Sequence, residues 1–141
     1  MCYNKKMNLK IYEKRMKIIS REKEVLWREN KYEVMSHSEN HYKYIKKSLQ
    51  AITLAKLREV IEEAKETEKT TGSVTNAYQH MWGYFKKQAT EEEKNKTFEL
   101  LEDFQKSIKQ EEVLWKWLAH LAIKYEQKYL LQSTIIVKHI D

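Results

Sequence analysis

The segment YQHMWGYFKK, at residues 78–87, holds the densest set of side chains that could bind a ligand or move a proton. His80 supplies an imidazole, Gln79 an amide and Tyr84 a phenol, and Lys86 and Lys87 supply two ammonium groups. Lysine binds phosphate, and aromatic rings stack on nucleobases, so these residue types suit a nucleotide or RNA ligand. We take this segment as the first candidate binding site.

The segment fits one helix, predicted from Ser73 to Gln88, with two different faces. At about 100° per residue, one face carries the apolar and aromatic residues Val74, Ala77, Tyr78, Met81 and Phe85. The other face carries Asn76, His80, Gly83 and Lys87. We predict that the first face packs in the core and that the second lines a cleft, where Gly83 lets a ligand approach the backbone. The alternative is structural, with His80 bonded to a neighbouring helix and Gly83 at a close helix crossing.

Two functions use the polar face in different ways. A binding domain would place Lys86 and Lys87 on phosphates, with exposed members of Tyr78, Trp82 and Tyr84 stacking on bases. A small enzyme would use His80 as general acid or base, assisted by Tyr84 or Lys87. No activated nucleophile, carboxylate pair or phosphate loop accompanies His80. The leading hypothesis is therefore a non-enzymatic binding or accessory domain for nucleotide or RNA, and the alternative is the enzyme.

A metal site is not predicted. His37 and His41 have the four-residue spacing of helical metal ligands, but the order is not His-Glu-x-x-His and no third ligand is evident. The single cysteine, Cys2, excludes a disulfide framework or a thiolate site built from this chain alone. We predict no bound metal and no cofactor.

Composition predicts an all-α fold. Two glycines and no proline in 141 residues leave few turn or strand signals, so we expect a single compact bundle of five or six helices.

The net charge of +6 is concentrated in residues 1–20, which hold six Lys or Arg against Glu13 alone. No apolar run is long enough to span a membrane and no signal peptide is evident, so a cytoplasmic location is expected.

The chain is predicted to divide into residues 1–20, 21–132 and 133–141. The first part is a basic extension of the next helix or a basic amphipathic helix that binds a membrane surface or nucleic acid. Helices are predicted to begin after capping boxes at Ser36–Glu39 and Thr90–Glu93, and the last helix is predicted at residues 111–129. The tail contains Ile135, Ile136 and Val137 and is expected to pack in an extended conformation.

Several short motifs together resemble one family. They are Trp27-x-x-x-Lys31, His37-Ser38, Tyr42, Gln79-His80-x-x-Gly83-Tyr84-Phe85-Lys86-Lys87, Glu93-Lys94 and Tyr129-Leu130-x-x-Gln132. Over roughly residues 21–132 the chain resembles the YbgA-like family of bacterial helical domains. The resemblance implies no settled activity, but it implies an accessory role near modified nucleobases, because the domain is often fused to a thiouracil-desulfurase-type domain. It adds Lys31, His37, Tyr42 and Gln132 to the candidate ligand-binding residues, and a thiouracil-desulfurase-type protein to the candidate partners.

The chain departs from that family pattern in two places. The family tends to have a proline near the start of the last helix and an aromatic-proline ending, whereas residues 109–113 and 133–141 contain neither. The cysteine-rich desulfurase portion is also missing from this sequence. These departures leave the predicted fold unchanged and put any function of the tail in doubt.

Overall fold

The first helix provides the surface on which most of the other helices assemble. A computed structural model describes residues 5–140, with side chains from residue 8 onward. It contains α1 (Lys5–His37), α2 (Glu39–Ser48), α3 (Leu54–Glu66), α4 (Thr71–Trp82), α5 (Glu91–Gln105), α6 (Glu112–Lys124), α7 (Lys128–Leu131) and α8 (Thr134–Val137). No strand occurs in these residues, which confirms the all-α prediction. The predicted count of five or six helices is too low, because two short helices follow α6.

The second half of α1 lies between two hydrophobic clusters. Tyr32 and Met35 belong to the larger cluster, which α4, α5, α6, α7 and α8 complete. Trp27 and Val34 belong to the smaller cluster, which is closed by residues of α2 and α3. Because these pairs sit on different faces of one helix, α1 joins the two clusters into one fold. Its earlier residues, 9–22, are exposed and run out of the bundle.

Two of the predicted helix starts need correction. α2 is capped by Ser38, whose hydroxyl accepts a hydrogen bond from the His41 amide at 3.2 Å, and not by Ser36. Ser36 is fully buried in α1 and donates to the Glu33 carbonyl at 2.7 Å, so its hydroxyl is already used inside that helix. α4 begins at Thr71 behind a capping box formed by Thr70 and Ser73, two residues earlier than predicted.

Two other segments also differ from the prediction. α4 ends at Trp82 and residues 83–88 form turns, so the helix predicted to Gln88 is six residues too long. The tail is helical over Thr134–Val137 instead of extended, since Ile135 and Ile136 are buried in the larger cluster and that packing outweighs their preference for strands. α6 ends at Lys124, and the four-residue α7 follows a short break.

The apolar face of the central helix, α4, packs against the last long helix, α6. Tyr78 of α4 meets Trp115 of α6 edge to face, with ring centroids 6.2 Å apart. The Tyr78 hydroxyl donates to the Thr97 carbonyl of α5 at 2.9 Å, which satisfies its polar group inside the core. The apolar face of α4 therefore packs as the sequence predicts. Within the described part of the chain, no helix combines the length and apolar character that crossing a bilayer requires.

The start of α5 is held by Glu93, which closes the predicted capping box. Its carboxylate accepts from the Thr90 amide at 2.9 Å, from the Lys124 ammonium at 2.8 Å and from the Tyr125 hydroxyl. The hydrogen bonds from Lys124, Tyr125 and the Thr90 amide lower the pKa of Glu93 to about 2. This carboxylate therefore ties the start of α5 to the end of α6.

We expect Glu93→Gln to lower the free energy of unfolding at pH 7 by about 1–2 kcal/mol, because a cap and charge-assisted hydrogen bonds are weakened. The folded-state pKa lies below the unfolded value of about 4.3, so the contribution is complete above that pH and is lost as pH falls towards 2. Denaturant titrations from pH 7 to pH 2 should show the two proteins converging. Glu92→Gln, an exposed neighbour in the same turn, is the control and should change stability by less than about 0.5 kcal/mol.

Candidate ligand-binding site

Four tyrosines from four segments meet beside α1. Tyr84, in the turns after α4, stacks on Tyr129 of α7 with centroids 5.6 Å apart and an interplanar angle of 16°. Tyr32 of α1 lies edge-on to both rings, at 6.2 Å and 6.5 Å. Its hydroxyl is 2.9 Å from the Tyr84 hydroxyl. We call Tyr32, Tyr42, Tyr84 and Tyr129 the tyrosine cluster.

Tyr42 of α2 completes the tyrosine cluster and connects it to the smaller hydrophobic cluster. Burial raises the pKa of Tyr42, and the neighbouring Tyr84 raises it further. Its ring lies 5.8 Å from that of Trp27. Burial also raises the pKa values of Tyr32 and Tyr129, and the hydrogen bond with Tyr84 adds to the shift of Tyr32. These three phenols are therefore neutral at physiological pH and keep their hydroxyl protons for donation.

Cationic side chains border the tyrosine cluster. The Lys31 ammonium lies 5.5 Å from the centroid of the Tyr32 ring. Burial lowers the pKa of Lys31, and the positive charge of Lys46 on α2 lowers it further. Burial raises the pKa of Tyr129, and the positive charge of Arg28 offsets part of that increase. Lys31 therefore lies against one ring of the cluster, Arg28 is close enough to Tyr129 to affect its pKa, and Lys46 is close enough to Lys31 to do the same.

These cations lack counter-charges in the part of the chain that the structure describes. No carboxylate among residues 8–140 pairs with Lys31, Lys46 or Arg28 within 4.0 Å. The Nε atom of Arg28 is buried and has no hydrogen-bond partner among the same residues. Two neighbouring cations of α1 without a counter-charge among the described residues favour an external anion, which would reach the accessible part of the Arg28 guanidinium and the Lys31 ammonium.

Three of the predicted site residues belong to this arrangement, namely Lys31, Tyr42 and Tyr84. Lys86 and Lys87 are exposed in the same turns as Tyr84, but no described contact joins them to the cluster. Gln132 is exposed just after α7. His37 lies elsewhere, since its Nδ1 is 2.8 Å from the Thr67 carbonyl and holds the end of α1 to the loop after α3.

The predicted polar stripe of the central helix is only partly formed. Gln79 and His80 are exposed and Asn76 is half-buried, and the His80 Nδ1 lies 2.9 Å from the Asn76 carbonyl of its own helix. Gly83 is the C-cap of α4, so Lys87 does not continue the stripe on a helix. A Cβ at Gly83 would lie 3.0 Å from the His80 carbonyl oxygen and would meet no other helix within 4 Å. The glycine therefore ends a helix instead of allowing two helices to cross.

Sequence reasoning missed Arg28 and Lys46 and placed Tyr32 only in the core. The available signal was the spacing of Arg28, Lys31 and Tyr32, which puts two cations and an aromatic ring on one side of a helix. Tyr129 appeared among the motifs of the family resemblance but was not chosen as a site residue. Its position beside Tyr84 depends on tertiary structure, since 45 residues separate the two rings in sequence.

The histidine pair is used in separate local contacts. His41 lies 2.6 Å from the Ser38 hydroxyl through Nδ1 and 3.3 Å from Glu63 through Nε2, whereas His37 contacts Thr67. Among the described residues, no group of three or more His, Cys, Asp or Glu is placed to hold a metal ion. The absence of a metal and of a cofactor stays a prediction.

A second basic surface lies in a groove of about 400 Å³ between α5 and α6. Its polar and aromatic lining consists of Lys96, Lys109, Lys116, Trp117 and His120. The Trp117 ring is already contacted by the Lys96 ammonium at 4.4 Å and by the His120 ring at 5.4 Å. Lys109 is within 3.9 Å of Asp103, so part of its charge is balanced. Lys96 and Lys116 also lack a carboxylate partner within 4.0 Å among the described residues, but no buried nitrogen of this groove is without a hydrogen-bond partner, in contrast to the Arg28 Nε atom.

Comparison with protein families gives a match to a model described as "Protein of unknown function (DUF1722)" over residues 31–139. The range contains the tyrosine cluster and Lys31 but begins after Arg28. No curated protein and no solved structure matches significantly. This result agrees with an uncharacterised helical domain, and its range is shifted towards the tail relative to the predicted 21–132.

Proposed function

The chain belongs to the DUF1722 family of proteins of unknown function, and we propose that it is a non-enzymatic binding domain for a nucleotide or RNA. The observation that carries the proposal is the pair Arg28 and Lys31, which have no counter-charge among the described residues and lie near Tyr129 and Tyr32 of the tyrosine cluster. The proposed ligand is a phosphate joined to a planar ring, since this surface offers a partner for each part.

The physical argument begins with the charges. A partly buried cation without a partner is unfavourable, because the protein replaces its water without offering a negative group. A phosphate would supply that charge and could form two hydrogen bonds with the Arg28 guanidinium. Lys46 would add a third, more exposed positive charge to the same region. Anion binding therefore removes an energetic cost that the free protein carries.

The rings account for the rest of the ligand. Tyrosine presents an aromatic face to a base and a hydroxyl to its polar edge, and base stacking on such rings contributes about 1–3 kcal/mol. Tyr84 and Tyr129 are half-buried, so part of each ring remains open to solvent. The neutral hydroxyl of Tyr129 can donate to a base or ribose oxygen without repelling the phosphate.

The resemblance to the YbgA-like domains supports a more specific context. A thiouracil-desulfurase-type protein is the proposed partner, and the proposed ligand would then carry a modified nucleobase. A cytoplasmic location belongs to the same proposal. Asn76, Gln79, His80, Lys86 and Lys87 remain candidates for secondary contacts of a ligand longer than one nucleotide.

The enzyme alternative has less support. His80 is exposed, and its Nδ1 lies within hydrogen-bond distance of the Asn76 carbonyl. Among the described residues, no hydrogen bond joins His80 to Tyr84 or Lys87, and the Tyr84 hydroxyl contacts Tyr32 instead. His80 and Tyr84, which the enzyme hypothesis combines, therefore make separate contacts in different parts of the structure.

We expect Lys31→Ala to weaken binding of ATP and of a short single-stranded RNA by roughly tenfold. The slope of log affinity against log salt should also fall by about 1, because one phosphate contact and its counterion release are removed. The measurement is a titration by calorimetry or fluorescence anisotropy at several salt concentrations, starting from about 50 mM.

Lys116→Ala, in the groove between α5 and α6, is the matched control and should leave affinity unchanged. The double change of Lys86 and Lys87 to alanine tests whether the neighbouring turn contributes, and it should lower affinity for RNA more than for ATP. The proposal is wrong if the unmodified protein binds neither ATP nor RNA at about 50 mM salt. It is also wrong if Lys116→Ala reduces affinity and Lys31→Ala does not.

A further inference from the structure

The first part of α1 leaves the bundle as an exposed helix with large apolar side chains. Between residues 9 and 22 every side chain is exposed, and none belongs to either hydrophobic cluster. Tyr12 is 60% exposed, Leu9 57% and Ile18 56%. The full set of large apolar residues on this segment is Leu9, Ile11, Tyr12, Met16, Ile18 and Ile19. Six large apolar side chains are thus exposed within about three turns, and apolar surface concentrated in this way marks an interaction surface.

The segment is amphipathic and its polar face is cationic. At about 100° per residue, the six apolar side chains fall on one half of the helix, and Arg15 lies among them. Lys10, Lys14, Lys17 and Arg21 fall within a sector of about 60° on the other half. Residues 8–21 contain five Lys or Arg and only one acidic residue, Glu13. Apolar and cationic faces are thus present on the same three to four turns.

We propose that residues 8–21 of α1 bind an anionic membrane surface, with the helix lying in the plane of the interface. The apolar half would enter the boundary between headgroups and acyl chains, and the lysine stems would extend from there to the lipid phosphates. The attraction of each cation to an anionic leaflet adds to the apolar contribution. The segment lies outside the matched family range, so this property belongs to this chain and not to the family match.

Charge complementarity distinguishes lipid from the other possible partners. A second copy packed through the apolar half would bring the two Arg15 side chains into one interface and would leave Lys10, Lys14, Lys17 and Arg21 of each helix without a partner. Nucleic acid would satisfy the lysines but leaves six large apolar side chains in water. An anionic bilayer has a partner for both faces. The inference is independent of the proposed ligand site, which lies on the buried half of α1.

The test is sedimentation of the full chain with vesicles of phosphatidylcholine containing 30% phosphatidylserine, compared with vesicles of pure phosphatidylcholine. The protein should partition at least roughly 30-fold more strongly onto the anionic vesicles, given several cations at the surface. Changing Lys10, Lys14 and Lys17 to glutamine should remove most of that preference. Ile11→Gln combined with Ile18→Gln should lower partitioning by roughly tenfold or more, because two buried apolar side chains are lost.

Controls follow from the exposure of these residues. The glutamine variants should keep the thermal unfolding midpoint of the unmodified protein, and Glu13→Gln should bind anionic vesicles at least as well. Equal partitioning onto both vesicle types would overturn the proposal. So would vesicle binding that depends on the lysines but not on Ile11 and Ile18, which indicates a purely electrostatic surface such as one for nucleic acid. A dimer in solution that the isoleucine variant abolishes, without vesicle binding, would identify a second copy as the partner.

Discussion

Phe85→Ala is expected to lower the free energy of unfolding by about 3–5 kcal/mol, the range for removing a fully buried phenylalanine. Phe85 is 0% exposed although it lies in the turns after α4. Its ring centroid is 6.4 Å from that of Trp82 and 6.2 Å from that of Tyr125, so it fills the space between the end of α4 and the end of α6. Alanine would leave a cavity bordered by two aromatic rings. Equilibrium unfolding in urea measures the change.

His80→Ala is the matched control within the same segment. His80 is exposed and its Nδ1 contacts only a carbonyl of its own helix, so its removal should change stability by less than about 0.5 kcal/mol. Together the two variants test whether the segment at residues 78–87 has one structural face and one exposed face. A loss below about 1 kcal/mol for Phe85→Ala, or an equal loss for His80→Ala, would show that this division is incorrect.

The helix content was predictable because local and tertiary preferences agree. Few glycines and no proline favour helices, and the capping box at Thr90 and Glu93 forms as its sequence indicates. The end of α4 was not predictable from side-chain spacing, since Phe85 continues the apolar pattern of Tyr78 and Met81 although the backbone has left the helix. Gly83 was the available signal, because glycine is unfavourable inside a helix and here stands at the C-cap.

The tail and the capping box predicted at Ser36–Glu39 show where tertiary packing decides the local conformation. Ile135 and Ile136 are β-branched, and a local reading favours an extended chain. In the structure both side chains are buried in the larger cluster from a short helix, so packing outweighs the local preference for an extended chain. Ser36 has the right spacing from Glu39 for a cap, but it is buried within α1 and therefore unavailable. Sequence alone does not reveal which serine is buried.

The candidate site was only partly predictable for a similar reason. Tyr84 was placed with His80 on one helical segment, whereas the turns after Gly83 bring Tyr84 to Tyr32, which is 52 residues away in sequence. Lys31 and Tyr42 entered through the family resemblance, and the structure places them near Tyr84 through α1 and α2. Arg28 was missed because its spacing from Lys31 and Tyr32 does not by itself distinguish an unpaired buried guanidinium nitrogen from an ordinary surface arginine.

Glu33 connects three helices through one buried carboxylate, and its removal gives the second large expected effect. Its side chain is 4% exposed, and it accepts hydrogen bonds from Lys138, just after α8, and from the Thr134 hydroxyl at 3.1 Å. The Lys65 ammonium of α3 is 3.5 Å away. Glu33→Ala removes all three interactions and leaves the ends of α3 and α8 without this link to α1.

We expect Glu33→Ala to lower the free energy of unfolding at pH 7 by about 2–3 kcal/mol. The loss stays below that of a fully isolated buried charge because Lys138 and Lys65 are partly exposed and water can solvate them. Glu62→Ala is the matched control, since Glu62 also pairs with Lys65, at 3.7 Å, but is 69% exposed. It should cost less than about 0.5 kcal/mol. Equal losses for the two variants would contradict the role given to Glu33.

The pH dependence of a second variant, Glu33→Gln, separates the charge of Glu33 from its volume. Burial alone would raise the pKa of Glu33, but the hydrogen bond and charge of Lys138 and the charge of Lys65 lower it below the usual glutamate value. The ionic contribution is therefore complete above the unfolded pKa of about 4.3 and is lost as pH falls through the lower folded-state pKa. Unfolding curves of wild type and Glu33→Gln should accordingly differ most at neutral pH and approach each other in acid. A difference that stays constant from pH 7 to pH 3 would mean that Glu33 stabilises the three helices by packing alone.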